Sequence, residues 1–281
     1  MEKIKITKMQ GCGNDFVILD FEEYKKTSLD MSELAKKLCD RNFGVGADGM
    51  IIPNLNSETY KNEADISWYF YNSDGSTAQM CGNGMRCFAK YVYDNKILDK
   101  KSFTVKTGAG LIKPEILDNG NVKVNMGTPI LEDEKIPFKG ERHFQILDKE
   151  FKFTPVSMGN PHCVIFTDEE PRKMAEKYGP YIEKHEYFPE KTNTEFVRVK
   201  SKNEVDLCVF ERGCGITLAC GTGACATVTA CVLNNLTEQN VKVNLPGGAV
   251  FIDWQGSMEN PDKNIFMTGP ANYSFFAEYI L

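Results

Sequence analysis

Two stretches of this chain, CGNGMRCFAKYV from Cys81 and CGTGACATVTAC from Cys220, share a cysteine, a glycine, a polar residue and a second glycine. Each then runs into an apolar segment, and their spacing is nearly half of the 281 residues. Nine residues before each cysteine stands a polar residue ending a strand candidate, Asn72 in one half and Glu211 in the other. A weaker echo pairs GNDFVI at Gly13 with GNPHCVI at Gly159. An internal duplication accounts for all these matches, and a repeat requires the fold to be read as two copies of one unit.

Around the repeat the pattern is short strands with few helices. IKITKM, FVILD and MIIP read as strands, as does DISWYFYN, where Ile66, Trp68 and Phe70 alternate onto one face. FTVKT, NVKVNM, HCVIF, EFVRVK, EVDLCVF, VKVNL and AVFIDW continue the series. Asp30 with Glu33 three residues on reads as a capping pair opening a helix that runs to about Asp40. PRKMAEKYG reads as a short helix opened by Pro171 and closed by Gly179. The segments 84–94 and 223–234 read as helices without a wet face, which belong in the middle of a domain. The expected fold class is therefore α+β: two pseudo-symmetric domains, each a mixed sheet curled around a central helix, with the active site in the cleft between them. The expected boundaries are 1–122 with a returning C-terminal strand at 269–281, and 123–268.

In each copy the order strand, turn, Cys-Gly-polar-Gly, helix puts the cysteine at a helix N-terminus. There the dipole is positive and backbone N–H groups point outward. Such a position favours the thiolate, and the adjoining glycines let a carboxylate approach the backbone closely. Two cysteines and two anion seats facing one cleft suit one reaction, removal of a proton α to a carboxylate from one face and its return from the other. Backbone donors aimed at the carboxylate would stabilise the charge that develops. Neither a metal nor an organic cofactor is called for.

Competing functions leave weaker traces. GVGADG from Gly44 matches G-x-G-x-x-G but follows a helix and precedes a strand, the reverse of a dinucleotide-binding order. Ten cysteines without a C-x-x-C spacing, with only three histidines, give a zinc cage little support. Cys12, Cys39, Cys87, Cys163, Cys208, Cys214, Cys225 and Cys231 read as structural, small buried hydrophobes. A net charge of −6 without a basic block disfavours nucleic acid and anionic membranes as partners. No apolar run reaches the length of a membrane span, and the N-terminus lacks a signal-like core, so the expected location is the cytoplasm. A non-catalytic amino-acid binder would use the same cleft but would not need a sulfur in each half.

These segments resemble the diaminopimelate epimerase family and the wider group of cofactor-independent, two-cysteine amino-acid racemases. The resemblance runs through KMQGCGNDF, DRNFGVGADG, YNSDGSTAQMCGNGMRC, VSMGNPHCVIF, NTEFVRV, VFERGCGITLACGTGACA and LPGG. It implies a cytoplasmic homodimer that interconverts LL- and meso-diaminopimelate for lysine and peptidoglycan biosynthesis. It further implies Cys81 and Cys220 as the two bases, one thiolate and one thiol. Gly82 and Asn83, with Gly221 and Thr222, become the seat of the reacting carboxylate. Asn14, Asn72, Asn160 and Asn193 become substrate amide contacts. Glu211 and Arg212 become the pair reading the amino and carboxylate groups, and His162 a residue assisting a cysteine. On the residues alone, Asn72 and Asn193 also fit turns, His162 a satisfied core histidine, and Glu211–Arg212 a surface charge couple.

Two positions depart from the family pattern. Ile216 stands before Thr217 where a glutamate is usual, and Gly49 stands where many members carry a substrate-contacting glutamine. They leave a same-family racemase of another amino acid, histidine or lanthionine, as the alternative.

Overall fold

The computed structural model describes residues 3–55 and 63–281. The chain divides into two compact units, Met1–Val124 with Gly269–Leu281, and Asn125–Thr268. The helices are α1 (Phe21–Tyr24), α2 (Met31–Cys39), α3 (Gly82–Asp94), α4 (Pro171–Ile182) and α5 (Gly221–Leu233).

In the first unit, strands lie side by side in the order 272–280, 3–11, 14–18, 49–54, 66–72, 105–107 and 110–112. Strand 14–18 runs parallel to 49–54 with Phe16 opposite Gly49, and 66–72 runs parallel to 105–107. The other neighbours are antiparallel. Each parallel pairing needs a crossover. α2 makes the first and α3 the second. The Asp30 carboxylate caps α2 by accepting the Glu33 N–H at 2.8 Å, as the Asp-x-x-Glu spacing predicts.

The second unit repeats this connectivity. Strands 154–157 and 161–166 form the opening antiparallel pair, and 161–166 runs parallel to 193–201 with His162 opposite Asn193. Strand 204–211 follows antiparallel and itself pairs parallel with 240–245, which turns back into 248–254. α4 and α5 make the two crossovers. A hairpin of 143–146 and 149–152 is added, carrying Phe144 and Phe151 into an aromatic-rich core with Phe138, Phe153 and Phe188.

The two duplicated helices are the cores of their units. Ten of the thirteen residues of α3 and nine of the thirteen of α5 are buried. α3 packs on strands 3–11, 14–18, 49–54 and 114–116. α5 touches strand 154–157 at one end of its sheet, strand 248–254 five places along, and strands between them, so the sheet curls around it. This is the α+β class with a mixed sheet around a central helix in each half.

Local details differ from the sequence reading. Gly179 does not close α4, which continues through Pro180 to Ile182. The Phe210 ring packs where a side chain at 179 would lie, so Gly179 serves tertiary contact rather than a cap. α3 and α5 begin two residues earlier than read, immediately after their cysteines. Cys214 is exposed, while Cys12, Cys39, Cys87, Cys163, Cys208, Cys225 and Cys231 are buried.

Candidate active site

Each duplicated cysteine is the N-cap of its helix. Cys81 has extended backbone (φ −142°, ψ 120°) and its Sγ accepts the Gly84 N–H at 3.4 Å. Cys220 has φ −123° and ψ 111°, and its Sγ accepts the Gly223 N–H at the same 3.4 Å. An N-cap is ordinarily an oxygen of Ser, Thr, Asp or Asn. Using sulfur there aims a backbone donor and the positive end of the dipole at the thiol.

In the first unit, Asn14 stands beside this cap. Its Oδ1 accepts from the Cys81 thiol at 3.5 Å and from Asn83 Nδ2 at 3.2 Å. Its Nδ2 donates to Asp48 Oδ2 at 2.6 Å. A carboxylate can only accept, so Asp48 fixes which end of the Asn14 amide faces the sulfur. Asp48 is itself gripped by Arg41 at 2.7 Å, and Arg41 also bridges to Asp15 at 2.9 Å. Asn83 is held from behind by the fully buried Arg86, whose Nη1 donates to Asn83 Oδ1 at 2.8 Å. Gly82 is buried in the first turn of α3. Asn72 does not join this cluster: its amide donates to Ser76 Oγ at 3.0 Å in the turn that ends its strand.

In the second unit, Cys220 lies 3.5 Å from Thr222 Oγ1, and Asn160 Nδ2 donates to that hydroxyl at 3.5 Å. Asn160 Oδ1 meets His162 Nε2 at 3.1 Å, and His162 Nδ1 meets Glu195 Oε1 at 2.7 Å. His162 and Glu195 are wholly buried. Glu211 accepts from the Thr217 hydroxyl. Burial, with the charges of Glu211 and Glu195 adding to it, pushes the Cys220 thiol well above its ordinary range. Gly221 is half-buried in the first turn of α5.

Asn193 and Arg212 have framework partners. Asn193 Nδ2 donates to Pro161 O at 2.9 Å, and its Oδ1 accepts the Arg212 N–H at 3.0 Å. The exposed Arg212 guanidinium donates to Glu190 O at 3.1 Å. Five residues of these clusters, Asp15, Arg41, Asp48, Arg86 and Glu195, escaped the sequence reading. Glu195 and Arg86 had a usable signal, a charged residue within segments otherwise built from core residues.

The two departures have packing causes. A Cβ at Gly49 would lie 2.7 Å from Tyr71 O and 2.8 Å from the Phe70 ring, so this backbone leaves no room for a side chain. Ile216 packs against the apolar core of its unit, and its neighbour Thr217 still reaches Glu211. A surface groove of about 600 Å³ on α2, lined by Leu29, Lys37 and Phe43 among others, contains none of the residues above. Among the described residues no group of three or more His, Cys, Asp or Glu side chains could hold a metal ion, and no helix is long and apolar enough to cross a membrane.

Comparison with known proteins bears on what this arrangement is for. The family model described as diaminopimelate epimerase matches residues 6–132 and 154–274. The diaminopimelate epimerase of Carboxydothermus hydrogenoformans is 47% identical, covering 99% of this chain and all of that protein. That of Desulfitobacterium hafniense is 46% identical, covering 97% of this chain and 96% of the relative. Among solved structures, a phenazine biosynthesis protein of the PhzF family from Bacillus anthracis superposes with a TM-score of 0.72 over the whole of both chains. Its sequence identity is 17%, so that likeness speaks for the fold alone. With both cysteine segments and nearly the whole length matched, the chain is an isomerase that belongs to the diaminopimelate epimerase family.

Proposed function

We propose that this enzyme inverts an α-carbon of diaminopimelate, LL to meso and back, by two-base proton transfer between Cys81 and Cys220 without a cofactor. The observation that carries the reading is the pair of sulfur N-caps, one per unit, each receiving the backbone N–H three residues on. One sulfur, as thiolate, takes the α-proton while the other, as thiol, delivers a proton to the opposite face. The C–H bond broken on one side is replaced by one formed on the other, and the two sulfurs exchange protonation states. The first turns at Gly82–Asn83 and Gly221–Thr222 hold the reacting carboxylate, where helix N-termini favour an anion. Asn14 and Asn160 flank the two sulfurs; Asn72, Asn193, Glu211 and Arg212 take the remaining polar groups of the substrate. The product enters lysine and peptidoglycan biosynthesis in the cytoplasm, a compartment that suits ten free cysteines.

Incubation with LL-diaminopimelate in D₂O gives the meso form with deuterium at the inverted carbon. Inactivity on it, together with turnover of histidine or lanthionine, transfers the assignment to a sister racemase. The match to diaminopimelate epimerases 46–47% identical over nearly the whole chain supports the diaminopimelate reading.

The enzyme works as a homodimer in this reading. Strand 272–280 is at the edge of its sheet and exposes Phe275, Phe276 and Ile280. An apolar open edge invites pairing with a second copy. Light scattering gives twice the chain mass for the native protein and the single mass for Phe276→Asp; a monomeric native protein at micromolar concentration refutes the dimer.

A further inference from the structure

The duplication allows a comparison inside one molecule. Strand 14–18 corresponds to 161–166, and 49–54 to 193–201, because Phe16 pairs with Gly49 as His162 pairs with Asn193. By that register the counterparts of His162 and Glu195 in the first unit are Phe16 and Ile51, both buried. The shared fold is therefore satisfied by two apolar side chains at these positions. Only the unit containing Cys220 replaces them with an imidazole and a carboxyl group.

That replacement is costly, because Glu195 is fully buried and its Oε2 has no hydrogen-bond partner. It also lies close to the chemistry. A Cβ at Gly223 would sit 3.0 Å from Glu195 Oε1 and 3.2 Å from Cys220 Sγ, so the carboxyl group lies under the first turn of α5. From it a continuous line runs through His162, Asn160 and Thr222 to the sulfur.

We propose that Glu195 is a positioning residue: it holds His162 with Nε2–H directed at Asn160, so that the Asn160 amide turns its NH₂ to Thr222 and frees the Thr222 hydroxyl to donate to Cys220. One proton is shared across the 2.7 Å contact between Glu195 and Nδ1. Whether it resides on oxygen or on nitrogen, Nε2 keeps its own hydrogen and Asn160 Oδ1 accepts it. Burial raises the Glu195 carboxyl above its ordinary range, with the Glu211 charge adding to it, which favours sharing over full ionisation. The titratable groups that feel Glu195 are His162 on strand 161–166, Glu211 on strand 204–211 and Cys220 at the head of α5, with Cys163 on the opposite face of strand 161–166. In the first unit Asp48 holds the equivalent Asn14 in the opposite sense, with its carbonyl toward Cys81. Cys81 thus donates to the carbonyl of its amide, whereas Cys220 meets a hydroxyl that takes up the NH₂ of the other, so hydrogen bonding favours the thiol at Cys81 and the thiolate at Cys220.

The inference rests on the two-base reading, yet its first test needs no substrate. In ¹⁵N-histidine spectra of the ligand-free enzyme, the signal assigned by its loss in His162→Gln shows Nε2 protonated from about pH 6 to 9, through and above the ordinary imidazole range. Glu195→Gln, which no longer dictates the tautomer, introduces a population with bare Nε2. It also lowers kcat about 10- to 100-fold with KM changed less than about twofold, the pattern of an interaction that matters in the transition state. In a His162→Gln background the same change adds less than about twofold, because two residues acting through one path are not additive. An unchanged tautomer, an unchanged kcat or additive losses overturn the proposal. Should Glu195→Gln not fold, loss of the Nε2 proton in the native enzyme near neutral pH overturns it as well. Failure of the isotope experiment on diaminopimelate would leave the tautomer result standing, so the two claims fail separately.

Discussion

Cys81→Ala and Cys220→Ala each reduce inversion at least about 10³-fold, at the scale of losing a general acid or base and its partner's reciprocal role. The loss arises because a single base can remove and return a proton on its own face but has no donor on the other. Each variant therefore retains slow hydrogen exchange of one stereoisomer while losing conversion to the other. Chirality of the product and deuterium content, measured together, distinguish this from simple unfolding. Near-normal inversion by either variant ends the two-base scheme. Cysteine-to-serine variants are the milder control, since an oxygen in the N-cap position keeps the helix start while replacing a polarizable thiol with a far weaker acid.

Arg86→Met produces the largest loss of stability expected from a single side chain in the first unit. Arg86 is fully buried, donates to Asn83 Oδ1 at 2.8 Å and to Pro270 O at 3.1 Å, and lies 3.8 Å from Cys12 Sγ. Pro270 opens the segment that returns from the second unit's sequence to complete the first unit's sheet. Methionine fills much of the volume but leaves two buried acceptors without these donors, at about 1–3 kcal/mol each. The expected cost is about 2–6 kcal/mol by the same reckoning. Hydrogen exchange reads it locally: amides of α3 and strand 272–280 lose protection, while those of α5 keep theirs. Equal protection in α3 before and after the change sinks the claim. Activity falls too, because Asn83 loses the partner that aims its Nδ2 at Asn14.

The exposed charge pairs on these units, such as Lys3–Glu278 and Lys135–Glu132, contribute little beside such groups. What distinguishes Arg86 and Glu195 is burial. A charged group taken out of water must be served by neighbours, and so it orders them.

Much of this was legible before any coordinates. The duplicated Cys-Gly-polar-Gly segments identify the two central helices and the cysteines at their heads, because glycine-bracketed caps and runs of small apolar residues are local signals. Strand periodicity locates most of the sheet, and the Asp30–Glu33 spacing marks the start of α2. Gly179 misled for the opposite reason: its role is a close approach by Phe210, thirty-one residues later in the chain, and no local pattern contains that. The contact of Asn14 with Cys81 shows the same limit, since the two residues are distant in sequence.

By itself, then, the amino-acid order determined the two-copy plan, the fold class and the placing of a cysteine at the head of each central helix, all of which depend on residues near one another in the chain. Tertiary structure alone decided that the copies are chemically unequal. The paired Gly-Asn segments already set Phe16 against His162, but Ile51 and Glu195 become comparable only when parallel strands bring their registers into line. The physical reason is that hydrogen bonding and desolvation act through space. Which end of an amide faces a thiol is settled by partners dozens of residues away.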